Sequence, residues 1–259
     1  MTHMTRERML GRLFLVPAPL DFGCNESSDL QDTLPLGSLK QAAGLSNWIC
    51  ENAKSTRAYL KRVDAVLPLC CPIQQMTLVE LPRSVHKKGD HSGDFDARHL
   101  LQPALAGSDI GLISEAGIPA VADPGSSVVR AAHDLGITVC PLVGPVSLLL
   151  ALATSGLNGQ SFAFVGYLPQ DPVARGGRIR ELEALALRTG QTQIFIETPY
   201  RNLVLLQALL HNLQPNTRLA VSSGLTLARS ACASQIISKW KLAPAPLDND
   251  TPAVFAIGR

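Results

Sequence analysis

The sequence predicts an α/β fold with largely parallel sheets. Three observations carry the prediction. Short apolar runs alternate with segments of helical period, the pattern of strand–helix–strand units. Most runs stop at a loop containing Gly or Pro. The 259 residues are 46% hydrophobic, which excludes a disordered chain and supports one large domain or two smaller ones.

Residues 13–16 form a compact apolar run that ends at Pro17, a first strand. Residues 48–50 read as a short second strand, and residues 51–63 as a polar helix after it. Residues 76–81 alternate weakly and stop at Pro82, a third strand. Residues 83–96 carry Ser, His, Lys and Gly without a period and read as a loop. Residues 95–105 have helical spacing. Residues 110–113 are a buried strand, a helix follows from about Ser126, and residues 137–142 are the next strand. In the second half, residues 162–165 are a strand, 170–177 a polar linker, 179–187 a helix and 192–196 a strand rich in β-branched residues. Leu203, Leu206, Leu210 and Leu213 recur at helical spacing. Residues 218–222, 233–240 and 253–257 are the last strands. No helix separates them, so an antiparallel edge on a second sheet is expected.

Charged residues make up 17% of the chain, and 23 basic against 21 acidic residues leave a formal charge of +2. That excludes a strongly basic nucleic-acid coat; contact with a polyanion must be local. Arg175, Arg178 and Arg180, with Lys87 and Lys88, are one candidate patch. Residues 135–170 contain no Asp, Glu, Lys or Arg. Pro141, Gly144 and Pro145, then Gly156 to Gln160, break that stretch too often for a bilayer span, so it reads as buried core. Arg6, Glu7 and Arg8 precede only a short apolar run, so no signal peptide is expected. The six cysteines form no C-x-x-C pair and no zinc-spaced cluster, as expected of a cytoplasmic chain with reduced, mostly buried thiols. His86 and His91 read as loop residues before metal ligands. Dinucleotide, P-loop, nucleophile-elbow and H-E-x-x-H motifs are missing.

Ligands in open α/β sheets bind beyond the carboxyl ends of the strands. The strand at 110–113 is followed by Ser114-Glu115-Ala116-Gly117-Ile118-Pro119 and then Asp123-Pro124-Gly125. Gly117 permits close approach or positive φ. Asp123 reads as the N-cap of the next helix, with Pro124 in its first turn. The next strand ends in Val143-Gly144-Pro145-Val146-Ser147, a helix entry whose amides could receive a polar group. Two further strands end in Gly166-Tyr167-Leu168-Pro169 and Glu197-Thr198-Pro199-Tyr200-Arg201. There Thr198 reads as an N-cap, and Glu197 as an ion-pair partner of Arg201 before a catalytic group.

These four loops, in this order, resemble those of the tetrapyrrole methylase superfamily, the class III S-adenosylmethionine-dependent methyltransferases. The branch they resemble most is that of the small-subunit ribosomal RNA cytidine-2′-O-methyltransferases. Where that branch has a first loop Thr-Pro-Ile-Gly-Asn, this chain has Ala18-Pro19-Leu20-Asp21-Phe22. The branch's Glu-Asp-Thr-Arg survives as Glu51 and, later, Ser55-Thr56-Arg57; a late Leu-Thr-Lys is reduced to Leu225-Thr226.

The resemblance implies two α/β domains, residues 1–143 and 144–259 with a mixed sheet in the second, and a cofactor cleft between them. It implies S-adenosylmethionine as cofactor, S-adenosylhomocysteine as product, a homodimer, and ribosomal RNA or the small subunit as partner, with no metal and no membrane. Pro19, Glu115, Ala116, Gly117, Ile118, Pro119 and Val121 would lie along the cofactor, with Val146, Ser147, Leu168, Thr198 and Pro199. Glu51 and Glu115 are the carboxylates to test as general base for a ribose hydroxyl, and Lys54 and Arg57 the nearby phosphate partners. A methyltransferase acting on a small molecule such as a tetrapyrrole, and a family member that binds the cofactor without catalysis, are the alternatives.

Overall fold

The computed structural model describes residues 9–88, 90, 95–243 and 247–259. The chain divides into two compact units, Met1–Phe22 with Asp29–Pro145, and Gly23–Ser28 with Val146–Arg259.

The first unit runs β1 (Leu13–Leu15), α1 (Leu30–Thr33), α2 (Leu36–Ala43), β2 (Asn47–Cys50), α3 (Ala53–Val66), β3 (Thr77–Glu80), α4 (Arg83–Lys88), α5 (Gln102–Leu105), β4 (Ile110–Ile113), α6 (Ser126–Asp134) and β5 (Val139–Pro141). Its sheet has the order β3-β2-β4-β1-β5 and every pairing is parallel. Central strands of such a sheet are covered on both faces, which is why β4 reads as an unbroken apolar run. Phe14, Trp48 and Leu60 pack on one face; Leu13, Ile49, Leu112 and Val128 pack on the other. Asn52 caps α3 through the amide of Lys54 at 2.9 Å. Tyr59, Leu60 and Val63 then turn inward at helical spacing.

The second unit runs α7 (Ser147–Ser155), β6 (Phe162–Tyr167), α8 (Pro172–Thr189), β7 (Thr192–Glu197), α9 (Asn202–Asn212), β8 (Arg218–Ser223), β9 (Ala231–Ile236), α10 (Ile237–Trp240) and β10 (Ala253–Gly258). The sheet order is β6-β7-β10-β8-β9, with only β6–β7 parallel. The antiparallel strands are therefore more than an edge. β10 is buried along its whole length and lies in the centre, where Phe255 stacks on Phe195 with ring centroids 6.0 Å apart.

Several expected boundaries change. The segment 83–96 begins with α4. Residues 95–105 hold a 3₁₀ turn, Arg98–Leu101, and only one turn of α-helix. The expected linker 170–177 belongs to α8: Asp171 accepts the Ala174 amide at 2.8 Å with Pro172 at the first helical position, a start signal stronger than the Gly176-Gly177 pair that follows. Residues 233–240 divide into the end of β9 and α10, and the indole N–H of Trp240 donates to the Leu219 carbonyl at 2.8 Å. Within the charge-free stretch, Leu149 and Leu150 of α7 are 49% and 37% exposed, so that stretch is not uniformly core. No helix among the described residues is long and apolar enough to cross a membrane. Of the six free thiols only Cys50 is buried, and Cys70 and Cys232 are exposed.

Candidate functional site

The carboxyl ends of β2, β4 and β1 are neighbours in the first sheet, and each feeds a loop that the sequence singles out. The loops are tied to one another. The amide of Ala18, after β1, donates to the Gly117 carbonyl at 2.8 Å, and the Gly117 amide returns a bond to the Ala18 carbonyl at 3.0 Å. Gly117 makes this approach with φ at 71°, a backbone region in which a Cβ is unfavourable. Ala120 and Ala122 also have positive φ, 66° and 65°, although they carry side chains. Such conformations persist only where the surrounding structure imposes them.

Glu51 directly follows β2. Its amide donates to the Ile113 carbonyl at the end of β4, at 3.2 Å, and its Oε2 accepts the Glu115 amide at 3.3 Å. The Glu51 carboxylate is thus bonded to the backbone of Glu115, 64 residues further along the chain. A third acid joins Glu51 and Glu115. Burial, followed by the charges of Glu51 and Glu115, pushes the Asp123 carboxyl up to about 7. Carboxyls held near neutrality by burial and like charge are the type found at functional sites.

Asp123 is not the cap of α6. Gly125, at φ 133°, occupies the N-cap position and offers no side chain. The capping carboxylate comes from Asp90, which is 4% exposed. It accepts the amides of Gly125, Ser126 and Ser127 at 2.9, 3.2 and 2.9 Å, and the hydroxyls of Ser126 and Ser127 at 2.6 Å each. Burial alone would raise Asp90, but these hydroxyls and amides outweigh it and hold the carboxyl below its ordinary value.

A cleft of about 370 Å³ opens in the first unit beside these loops. Pro19, Ala18 and Ile113 supply an apolar wall; Glu115, Asn52, Lys54, Tyr59 and Arg62 supply polar groups. Burial raises the Tyr59 phenol, so it is neutral at physiological pH. Arg62 reaches Asp21 with two hydrogen bonds of 3.1 and 2.9 Å, and the Asp21 side chain is 7% exposed. Asp21 stands at a departure from the first-loop pattern, and it fastens that loop to α3.

The other site residues are distributed as follows. Ala116 and Ile118 are half-buried, Pro119 is buried, and Val121 is 43% exposed. Val146, Ser147, Leu168, Thr198 and Pro199 belong to the second unit. Val146 is the extended residue before α7 and Ser147 its first residue; Leu168 is buried in the second core. Thr198 does stand before a short 3₁₀ turn, Pro199–Arg201, but its amide and hydroxyl donate to Glu197 Oε1 at 2.8 and 3.2 Å. Arg201 holds Oε2 of Glu197 at 2.6 Å. Glu197 is therefore fully engaged as an ion-pair partner.

The basic patch expected on α8 is not free. Arg175 is 7% exposed, Arg178 pairs with Glu181 at 2.7 Å, and Arg180 donates to Asn212. The side chains of His86, Lys87 and Lys88, and all of His91, lie outside the described residues.

No family model matches the chain. The ribosomal RNA small subunit methyltransferase I of Mesorhizobium japonicum is 31% identical over 214 residues, 83% of this chain and 63% of that protein. The protein of the same name from Halalkalibacterium halodurans is 30% identical over 193 residues, covering 74% and 56%. Among solved structures, the methyltransferase CobJ covers 96% of this chain, and 94% of its own, at a TM-score of 0.57 and 16% identity. The chain shares the fold of this methyltransferase. Uroporphyrin-III-C-methyltransferase from Thermus thermophilus, with TM-score 0.52, 19% identity and 96% and 94% coverage, has the same fold. The chain spans roughly half the length of the curated relatives, as with the Vibrio cholerae protein, 35% identical over 137 residues that cover 46% of it.

Proposed function

We propose that this protein is a member of the tetrapyrrole methylase superfamily, an S-adenosylmethionine-dependent methyltransferase acting on the ribose 2′-hydroxyl of a cytidine in small-subunit ribosomal RNA. The observation that carries the reading is the joining of three loops beyond the sheet's carboxyl edge: Ala18 bonded to Gly117, and Glu51 bonded to the Glu115 amide. The same loops carry the motif resemblance, and the curated relatives bear the name of a ribosomal RNA methyltransferase.

The residues fit the cofactor. The Gly117 loop offers a backbone edge with no Cβ over it. Carboxylates at 51 and 115, beside an Asp123 carboxyl pushed up to about 7, give the region a negative field that suits a sulfonium cation. The bound cofactor would supply an electrophilic methyl group. The protein's part is to hold the acceptor in line, and orientation can supply much of the barrier reduction. Glu51 or Glu115 would take the hydroxyl proton as the oxygen attacks. Pro19 and residues 115–119 with Val121, and in the second unit Val146, Ser147, Leu168, Thr198 and Pro199, are the proposed cofactor contacts. A homodimer in the cytoplasm, working on RNA or on the assembled small subunit, completes the proposal.

Calorimetric titration with S-adenosylhomocysteine tests the first step. Saturable binding, weakened by Gly117→Val, is expected. Silence at millimolar ligand would sink the methyltransferase reading. Glu51→Gln and Glu115→Gln separate the bases: if both keep full turnover, neither is the base.

A further inference from the structure

We propose that the outward face of α3 is a track for the sugar-phosphate backbone of the RNA acceptor, with Lys54, Arg57 and Lys61 each meeting a phosphate. The inference rests on the methyltransferase reading and names where its macromolecular substrate lies.

The spacing comes first. Residues 54, 57 and 61 are three and four apart and share one face of the helix. All three are exposed, and the residue between them on that face is the small Ala58. Among the described residues, the ion pairs made by basic side chains belong to Arg12, Arg62, Arg98, Arg178, Arg201 and Arg229; none engages this stripe. The single acid of α3, Asp64, follows Lys61 by three residues at the far end of this face; it accepts the Leu69 amide at 3.2 Å and makes none of these ion pairs.

The mounting is rigid and its position is specific. The opposite face of α3 is anchored in the core by Tyr59, Leu60 and Val63. Lys54 also lines the cleft that holds Glu115 and Pro19. The stripe therefore starts at the candidate site and runs about 10 Å away from it, given 1.5 Å per residue. Three unpaired cations over that distance exceed what one small anion requires and match a repeating polyanion. A chain with net charge +2 must concentrate its phosphate contacts in this way, and the alternative patch on α8 is spent on internal partners.

The test measures binding of a fluorescein-labelled, 20-nucleotide, mixed-sequence single-stranded RNA by anisotropy between 50 and 200 mM KCl, with S-adenosylhomocysteine titrated in parallel. Each lost phosphate contact lowers the slope of log affinity against log salt by about 0.7 for single strands. The Arg57→Gln/Lys61→Gln double variant, neither residue lining the cleft, should lower the slope by about 1.4 and weaken binding at 50 mM salt roughly tenfold. Adding Lys54→Gln should take the change in slope to about 2. Affinity of the double variant for S-adenosylhomocysteine and its melting temperature should stay at wild-type values. Lys239→Gln/Lys241→Gln, exposed cations of the second unit, should leave the slope unchanged. An unchanged slope in the triple variant, or no RNA binding by the wild type at 50 mM salt, overturns the track. The cofactor titration scores the methyltransferase reading by itself, so the two claims fail separately.

Discussion

Replacing Asp90 by alanine should cost the first unit about 3–5 kcal/mol, an unusually large effect for a single carboxylate. Five donors converge on this side chain. The hydroxyls of Ser126 and Ser127 can turn to other acceptors. The Gly125 and Ser127 amides cannot, and these two bonds are buried. Each orphaned buried amide costs about 1–3 kcal/mol. Loss of a negative charge at the start of α6 adds up to about 2 kcal/mol. These contributions overlap, because the amide bonds are themselves part of the cap, so the estimate is below their sum. Asparagine keeps one acceptor oxygen but turns an NH2 group toward donors, and should recover less than half of the loss. Because the native carboxyl titrates below its ordinary value, its stabilisation is present above about pH 4 and is lost as pH falls through the native value. The Asn variant should lack that acid dependence. Urea unfolding followed by circular dichroism at pH 7 and in steps below about pH 4 reads all three quantities. A loss below about 1 kcal/mol for Asp90→Ala would refute the claim that this remote carboxylate holds the start of α6.

The remaining predictions concern the candidate site. The Asp123 carboxyl, pushed up to about 7, keeps its proton in the folded state where the unfolded chain has lost it, so its contribution falls by about 1.4 kcal/mol per unit as pH rises from about 4 toward 7. Asp123→Asn should therefore raise the melting temperature more at pH 8 than at pH 5; equal shifts would place the proton elsewhere. Gly144→Ala would set a Cβ 2.2 Å from Pro17 Cβ, and the rigid ring cannot yield, so a loss of about 2–3 kcal/mol is expected in denaturant melts. Gly117→Ala meets nothing closer than Leu20 Cδ2 at 3.5 Å; only the φ of 71° is strained, a cost of about 1 kcal/mol. Its calorimetric affinity for S-adenosylhomocysteine should fall more than its stability does.

Most strands were legible because they are short apolar runs closed by a loop signal, and β4 was legible residue for residue; β9, with Ser234 and Gln235 in it, was not, and its expected span ran into α10. What the sequence hid was long-range. The Asp123-Pro124-Gly125 string carries every local sign of an N-cap, yet the cap is Asp90, 35 residues upstream, with no spacing rule to betray it. Gly176-Gly177 looked like a linker because glycine weakens an isolated helix, but Asp171 and Pro172 had already started one. The central place of β10 follows from pairings with β7 and β8 that no local pattern encodes. In the site, the Gly117 loop was visible as a cluster of Gly, Pro and acid residues. The meeting of Glu51 with Glu115 was reached only through resemblance. The basic residues of α8 looked available until the partners of Arg178 and Arg180, Glu181 and Asn212, were in view; Lys54, Arg57 and Lys61 of α3 share one exposed face.

The central claim is methyl transfer to a ribose hydroxyl, and one measurement addresses it most directly. The protein is incubated with methyl-tritiated S-adenosylmethionine and small-subunit ribosomal RNA lacking ribose methylation, free and as assembled subunits. The RNA is then digested to nucleosides. Label co-migrating with 2′-O-methylcytidine, and lost in the Glu51→Gln/Glu115→Gln double variant, is the predicted result. Label on a base, or none in the RNA under conditions where S-adenosylhomocysteine binds, would contradict it.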